Sequence, residues 1–146
     1  MRAVVTRVSR ASVTIGEQIN GQIGRGFLVL LGIGPNDTEE TAVKLAEKIC
    51  NLRVFEDENG KMNRSLEQAE GSLLVVSQVT LYADTSSRRP GFTGAAKPDL
   101  AIPLSERFMA HCRDRGFEVA HGEFGAEMQV ESVNDGPVTI LFDTER

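Results

Sequence analysis

The chain has few of the residues that build metal centres or disulfide frameworks. Its 146 residues include two cysteines and two histidines and no tryptophan. Cys50 and Cys112 both fall in segments with helical spacing, so we expect two small core residues in a reducing compartment. No C-x-x-C or H-x-x-x-H spacing gathers them with His111 and His121. We therefore expect neither a disulfide framework nor a metal site.

Long apolar runs and an excess of positive charge are also missing. No segment approaches the roughly 18 apolar residues that mark a membrane span, and the N-terminal MRAVVTRVSR lacks the apolar region of a signal peptide. These absences predict a soluble, cytoplasmic protein. Lysine and arginine number 16 against 21 acidic residues, which gives a net charge of −5. That balance argues against broad binding to nucleic acid and leaves only a local basic patch for such contact.

Two common kinds of catalytic arrangement are absent as well. A Ser-His-Asp hydrolase needs a base beside its nucleophile. His111 lies near the end of a polar-faced helix and His121 lies beside Gly122 in an expected turn, so we interpret both as solvated or capping. The glycines between 21 and 34 form neither G-x-G-x-x-G nor a P-loop. This argues against a glycine-rich loop that binds the phosphates of a nucleotide.

The patterns that are present predict a single α/β domain over residues 1–146. A chain of this length can bury roughly 68–70% of its extended surface. Its patterns run in the order strands, helix, strand, helix, strands, which predicts mainly β sheet with two packed helices. The predicted helices cover 38–52 and the segment between Pro98 and Arg115. The predicted strands cover 2–8, 11–15, 27–33, 72–84, 117–120, 126–133 and 137–143.

Capping residues and turn formers set the expected boundaries of these elements. Asp37 or Thr38 caps the first helix, and Asn20-Gly21 predicts a tight hairpin. Pro103 within the second helix predicts a late start or a bend. The polar segment 56–72 is predicted to be a surface excursion.

One polar cluster interrupts the most strand-like segment, SLLVVSQVTLYAD at 72–84. The cluster is Ser77-Gln78-Val79-Thr80. With a regular pleat, Gln78, Thr80 and Tyr82 share one face of this strand. Two hydroxyls and an amide fit cross-strand hydrogen bonds, and they also fit a polar site. The pattern alone leaves both interpretations open.

Two further segments lie outside the regular pattern. NDGPVTI at 134–140 places four turn formers before a strand, and a hairpin turn is the simplest interpretation because proline is tolerated at a strand's first residue. The irregular loop ADTSSRRPGFTGAA at 83–96 follows the polar strand. Loops of this length in compact domains are usually functional or disordered.

Three blocks together resemble the D-aminoacyl-tRNA deacylase family. SQVTLYAD at 77–84 is similar to its signature strand, NDGPVT at 134–139 to its Gly-Pro signature, and RRPGFTGAAKP at 88–98 to the loop between them. RVSRASVTI, LVLLGI and GEFGAEMQV are similar too, so the resemblance covers nearly the whole chain. Val79 stands where the family often has phenylalanine, and Gly91 stands where serine is common.

The resemblance implies an enzyme that hydrolyses the ester between a D-amino acid and the 3′ end of tRNA. It implies a homodimer of α/β subunits with active sites at the interface, no metal or organic cofactor, and activity on glycine mischarged onto tRNA(Ala). Ser77, Gln78 and Thr80 are then the catalytic candidates. Gly136-Pro137 is expected to form a cis peptide bond and to reach into the partner's pocket, where it rejects L-amino acids.

The same resemblance supplies candidates for binding. Those for the substrate pocket are Val79, Phe92, Met128 and Arg7, and those for tRNA phosphates are Arg88, Arg89 and Lys97. Structural alternatives stay open: the loop charges are solvated, Arg7 is an edge-strand charge and Met128 packs. Two other functions also stay open. One is a non-catalytic dimeric RNA-binding module, and the other is a related deacylase with a trans Gly-Pro bond and different chirality tolerance.

Overall fold

A six-stranded mixed sheet lies at the centre of the computed structural model, which describes residues 1–146. The strands are β1 (Arg2–Ile15), β2 (Gln18–Ile23), β3 (Gly26–Gly32), β4 (Phe55–Glu56), β5 (Met62–Arg64), β6 (Ser72–Ser77), β7 (Val119–His121) and β8 (Gln129–Asp143). The helices are α1 (Glu39–Cys50) and α2 (Pro98–Asp114). The order in the large sheet is β2-β1-β3-β6-β7, with β8 on the other edge of β1, and β4 pairs with β5 in a separate hairpin. Two helices and mainly β structure confirm the predicted fold class.

The long first strand joins most of the sheet. β1 pairs antiparallel with β2, β3 and β8, whereas β3 pairs parallel with β6 and β6 parallel with β7. The predicted strands 2–8 and 11–15 are parts of this one strand. The predicted turn at Asn20-Gly21 is wrong, because these residues lie inside β2. The chain reverses instead at Gly16, whose φ of 64° is in the left-handed region that glycine adopts readily.

The hydrophobic core covers both faces of the sheet. β3 is buried almost throughout, as its continuous apolar run predicts. On one face, Phe27 and Leu31 of β3 pack with Ile49 of α1 and Phe108 of α2 in a cluster of 23 buried residues. A smaller cluster on the other face includes Leu28. Complete burial of each large side chain stabilises the fold by about 1.5–3 kcal/mol.

Side-chain caps explain where α1 begins. Thr38 is its N-cap: the Thr38 hydroxyl accepts from the N–H of Thr41, and the Thr41 hydroxyl accepts from the N–H of Thr38. Asp37 does not cap the helix. Its carboxylate accepts from the N–H of Gly34 at 2.7 Å and from the amino group of Met1 at 2.8 Å. It therefore ties the first residue to the segment after β3.

The second helix begins at Pro98, so the late start predicted from Pro103 is wrong. Proline in the first turn costs no hydrogen bond. Pro103 has no N–H group, so one main-chain hydrogen bond is lost further along the helix, on its exposed face. Neither α1 nor α2 has the length and the apolar composition that a membrane-spanning helix requires.

Contacts between the C-terminal ends of the two helices join α1 to α2. Cys50 and Cys112 are free and fully buried, with their sulfurs 3.8 Å apart, which confirms them as core residues. The interpretation of His111 as solvated is wrong, because its Nε2 lies 2.7 Å from Oε2 of Glu47 and the ring is mostly covered. The hydrogen bond with His111 and the charge of Arg115 hold the pKa of Glu47 below its usual value. A polar bridge thus lies over the buried cysteines.

Candidate active site

The polar cluster Ser77–Thr80 lies where β6 ends. Ser77 pairs with Leu31 of β3, and the N–H of Gln78 donates to the Leu31 carbonyl at 2.8 Å. The chain then turns into a short 3₁₀ helix over Val79–Tyr82. The predicted continuous strand over 72–84 is therefore wrong, and Gln78, Thr80 and Tyr82 do not share a sheet face.

Tyr82 fixes this turn by packing against the segment after β3. Its ring fits beside Gly34, where a Cβ atom would stand 2.8 Å from the tyrosine oxygen. The guanidinium of Arg2 lies 4.4 Å from the ring centroid and donates to the carbonyl of Leu81 at 2.8 Å. Burial raises the pKa of the Tyr82 hydroxyl, which stays neutral and has no hydrogen-bond partner. Tyr82 thus acts as an anchor for the turn rather than as an acid or base.

The turn presents hydrogen-bond donors at the surface. The first N–H group paired within the 3₁₀ helix is that of Leu81, which donates to the carbonyl of Gln78. The N–H groups of Val79 and Thr80 therefore have no acceptor in the chain. The Gln78 amide donates to the Thr80 hydroxyl oxygen, which leaves the hydroxyl proton free to donate outward. Two amides and one hydroxyl can stabilise a developing negative charge on oxygen.

A cavity of about 500 Å³ adjoins Ser77, between α2 and the ends of β6 and β7. Its apolar lining includes Ile102, Met109 and Phe124. Ser105 also borders the cavity, and its hydroxyl oxygen is buried without a partner. Ser105 was not among the predicted site residues, and its one signal in the sequence is a hydroxyl next to the apolar stripe of α2. Phe124 had a signal, since it belongs to the GEFGAEMQV block.

Gly136-Pro137 lies in a bulge inside β8. Thr6 of β1 pairs with Thr139 and Val8 pairs with Asn134, so residues 135–138 face Arg7 alone. Extra residues in one strand of a pair must leave the sheet plane, and both Gly136 and Pro137 are exposed. The interpretation as a turn before a strand is wrong, because β8 continues on both sides. The bond before Pro137 is cis, as the resemblance implies, and the alternative with a trans bond is wrong.

Two polar side chains hold this bulge. Arg7 is only 5% exposed, and it donates from Nε to the carbonyl of Asp135 at 2.8 Å and from Nη1 to the carbonyl of Val54 at 2.6 Å. The interpretation of Arg7 as an exposed edge charge is therefore wrong. The N–H of Val138 donates to the side-chain oxygen of Asn134 at 3.2 Å, which closes the bulge from the other side. The main chain around Pro137 is thus held at both ends.

One chain does not bring the two signature motifs together. Arg7, beside the bulge, pairs with Phe27 of β3, while Ser77 pairs with Leu31 on the other edge of β3. These positions differ by roughly 13 Å along the strands, and the path from β8 through β1 and β3 to β6 adds roughly 14 Å across the sheet. Gly136-Pro137 therefore cannot act beside Thr80 of the same chain.

The loop 83–97 lies at the same end of the sheet as the Ser77–Thr80 turn. A bridge between Asp84 and Gly91 closes it, and the N–H of Ala96 donates to the carbonyl of Ile33 at 2.9 Å. Its exposed side chains include the four candidates Arg88, Arg89, Phe92 and Lys97. Met128 is half-buried and packs on the smaller core cluster, which favours the packing alternative for this residue.

Comparisons with known proteins give one family for the whole chain. Residues 4–143 match the model of the family described as D-Tyr-tRNA(Tyr) deacylase. A protein from Herpetosiphon aurantiacus named D-aminoacyl-tRNA deacylase is 57% identical over 145 residues, covering 99% of this chain and 95% of that protein. A protein of the same name from Thermus aquaticus shows the same identity and coverage.

Two solved structures share the fold. One is named c-Myc DNA Unwinding Element Binding Protein: its TM-score is 0.92, its identity is 42%, and 99% of each chain is covered. The other is described as a probable eukaryotic D-amino acid tRNA deacylase, with a TM-score of 0.83 at 19% identity over 97% of each chain, and it supports the fold alone. The match over residues 4–143 and the identity of the bacterial relatives together show that the chain belongs to the D-Tyr-tRNA(Tyr) deacylase family.

Proposed function

We propose that this protein is a hydrolase that cleaves the ester bond of D-aminoacyl-tRNA and releases the free D-amino acid and tRNA. Family membership supports the reaction class. The structural observation that carries the proposal is the Ser77–Thr80 turn, which presents two unpaired N–H groups and a hydroxyl at the surface and whose Ser77 borders a cavity of about 500 Å³. Because aminoacyl-tRNA is a substrate of translation, we place the reaction in the cytoplasm.

The chemistry suits a site without an ionisable base. An aminoacyl-tRNA is an activated ester with a neighbouring ribose hydroxyl, so positioning and stabilisation of the oxyanion are sufficient. The N–H groups of Val79 and Thr80 and the Thr80 hydroxyl hold the carbonyl oxygen, and Ser77 and Gln78 position the group. Water adds to the carbonyl carbon, the bond to the ribose oxygen breaks, and the ribose hydroxyl helps to pass a proton to that oxygen.

Replacement of Thr80 by alanine distinguishes this mechanism from one in which Thr80 is a covalent nucleophile. Removal of one oxyanion donor lowers the rate about 100- to 1,000-fold, whereas removal of an obligatory nucleophile lowers it by about a million-fold. We expect the smaller loss in single-turnover hydrolysis of D-aminoacyl-tRNA. Complete loss of turnover by a folded variant that still binds substrate would contradict the oxyanion role.

Selection of the D isomer requires an element that excludes Cβ from the L position, since the enzyme accepts many side chains. We assign this to the main chain at Gly136-Pro137, which Arg7 and Asn134 hold at both ends. A main-chain wall cannot rotate away as a side chain can. Glycine has no Cβ, so the same wall admits glycine, including glycine mischarged onto tRNA(Ala).

The filter needs a second copy of the chain, because Gly136-Pro137 lies far from Thr80 of its own chain. A homodimer fits the exposed surface of β8, a strand of 15 residues that pairs with β1 alone. An unpaired strand edge of this length favours association. β8 also exposes the apolar side chains of Val130, Val133 and Leu141. We propose that β8 forms the dimer contact and carries each filter into the partner's cavity.

The remaining candidates have supporting roles in this proposal. Val79 and Phe92, both about 40% exposed, border the substrate, and Met128 supports the pocket from the core. Arg88, Arg89 and Lys97 contact phosphates near the 3′ end of tRNA, because their loop lies at the same sheet end as the Ser77–Thr80 turn.

Matched charged tRNAs test the proposal directly. Purified protein is incubated with D-tyrosyl-, L-tyrosyl- and glycyl-tRNA, and the release of amino acid is followed over time. We expect rapid release of D-tyrosine, slower release of glycine and no release of L-tyrosine above the uncatalysed rate. Equal cleavage of both tyrosine isomers would contradict the filter. Binding of tRNA without any turnover would favour a nucleic-acid-binding module instead. The solved structure that is 42% identical is named as a DNA-element binding protein, so the experiment must distinguish binding from hydrolysis.

A further inference from the structure

A small polar recess of about 180 Å³ lies beside the Gly136-Pro137 bulge. Three arginines, Arg7, Arg25 and Arg64, line it together with the carboxylates of Glu56 and Asp135. The charged side chains leave the recess net positive in a chain whose net charge is −5. We propose that this recess binds a phosphodiester group of the substrate RNA.

The buried guanidinium of Arg7 is the fixed part of this site. Nε and Nη1 donate to main-chain carbonyls, whereas Nη2 has no hydrogen-bond partner in the chain. The Asp135 carboxylate is the acid nearest to Arg7, at 3.7 Å from Nε, and it is half exposed. An arginine held in place with free N–H donors is well suited to a phosphate oxygen, because the planar group presents paired donors at a fixed angle.

Arg25 and Arg64 form the adjustable part of the site. Arg25 is exposed and makes no ion pair or side-chain hydrogen bond. Arg64 lies on β5 and uses Nη2 to contact Glu58 at 2.9 Å, which leaves its other N–H groups available. Arg25 is therefore free to close on an anion that enters the recess, and Arg64 has its remaining N–H groups to donate.

The position of the recess favours RNA as the source of the anion, and this step rests on the proposed function. The recess adjoins the bulge that carries Gly136-Pro137, which enters the partner's cavity in the proposed dimer. In that dimer, an RNA strand whose 3′ end occupies the cavity passes the 83–97 loop of one subunit on one side and the bulge and recess of its partner on the other. Each subunit then cleaves the ester, while Arg7, Arg25 and Arg64 of the other subunit hold the strand that leads to it.

The double variant Arg25→Ala/Arg64→Ala tests the inference without altering Arg7 or the catalytic turn. Its KM for D-tyrosyl-tRNA is expected to rise about tenfold, and the slope of log KM against log salt to fall by about 0.7–0.9, the value for one lost phosphate contact. Hydrolysis of D-tyrosyl-adenosine, which has no phosphodiester, is expected to stay unchanged. Lys44→Ala/Lys48→Ala removes the same charge from α1 and is the matched control, with wild-type KM and slope.

The possible results separate this inference from the proposed function and from a free-anion site. Wild-type protein that fails to cleave D-tyrosyl-tRNA contradicts the proposed function itself. Wild-type cleavage with an unchanged KM in the arginine variant overturns the phosphodiester site, and so does an equal loss on D-tyrosyl-adenosine. Inorganic phosphate at constant ionic strength provides the last comparison. If it raises the Tm of wild type but not of the variant while KM for tRNA is unchanged, the recess binds a free anion and the RNA source is wrong.

Discussion

Gly136→Ala is expected to lower hydrolysis of D-aminoacyl-tRNA more than 100-fold. Gly136 has a φ of 140°, a conformation that residues with a side chain rarely adopt. A Cβ atom there would stand 2.8 Å from Nη2 of Arg7, 2.9 Å from Cγ2 of Val138 and 3.0 Å from its main-chain nitrogen. Because two main-chain carbonyls hold Arg7 in place, the bulge itself must move, and the proposed wall beside the substrate moves with it. The measurement is single-turnover release of D-tyrosine.

The matched control for this variant is Gly24→Ala. A Cβ atom at Gly24 meets nothing within 4 Å, so wild-type activity and Tm are expected. Circular dichroism and gel filtration of Gly136→Ala show whether it stays folded and associated. Wild-type rates for D-tyrosyl-tRNA, with L-tyrosyl-tRNA still rejected, would show that Gly136 has no part in the site.

Mixed dimers are expected to recover activity that neither parent variant has. In the proposed arrangement, each site combines Thr80 of one subunit with Gly136 of the other. Chains with Thr80→Ala and chains with Gly136→Ala therefore form heterodimers with one intact site and one doubly altered site. Random mixing of equal amounts should restore about a quarter of the wild-type activity, because half of the dimers are mixed and half of their sites are intact.

The experiment requires unfolding and refolding of the two variants together, or their coexpression with different tags. The control combines the two variants after separate refolding, under conditions in which subunits do not exchange. If the mixture shows only the average of the two parents while mixed dimers are present, both residues act within one chain or Gly136 is not in the site. The mixed dimers are isolated by their two tags. The test therefore stays valid even if dimers of Gly136→Ala alone are unstable.

Sequence patterns predicted those elements correctly whose structure is determined within the segment itself, or whose side chains are all buried alike. FLVLLGI at 27–33 packs into the core on both faces of the sheet, so an unbroken apolar run was sufficient to predict a buried strand. The helix over Glu39–Cys50 follows from its cap and from apolar spacing within the segment. Conversely, VTLY has high strand propensity, and the prediction failed there because Tyr82 packs against Gly34, which is distant along the chain.

The candidate site was predicted through resemblance more than through pattern. Asn134-Asp135-Gly136-Pro137 has the composition of a turn, and only the pairing of both flanks with β1 shows that it is a bulge. The pairing partners, Thr6 and Val8, lie more than a hundred residues upstream in the sequence. Ser105 was missed because a single hydroxyl on a helix gives no sign of whether a partner lies opposite it. The recess at Arg7, Arg25 and Arg64 was missed because its three arginines come from separate strands and turns.

The pairing of β1 with β8 has a consequence for synthesis of the protein. Residues 2–15 lack their partner on one edge until residues 129–143 have left the ribosome. Contacts between segments so far apart form late and slowly, since a long loop must close first. The element assigned to chirality selection and to dimer contact therefore leaves the ribosome after the Ser77–Thr80 turn, so a nascent chain exposes this turn before the proposed filter. In the proposed dimer, discrimination between isomers begins only after two chains have met.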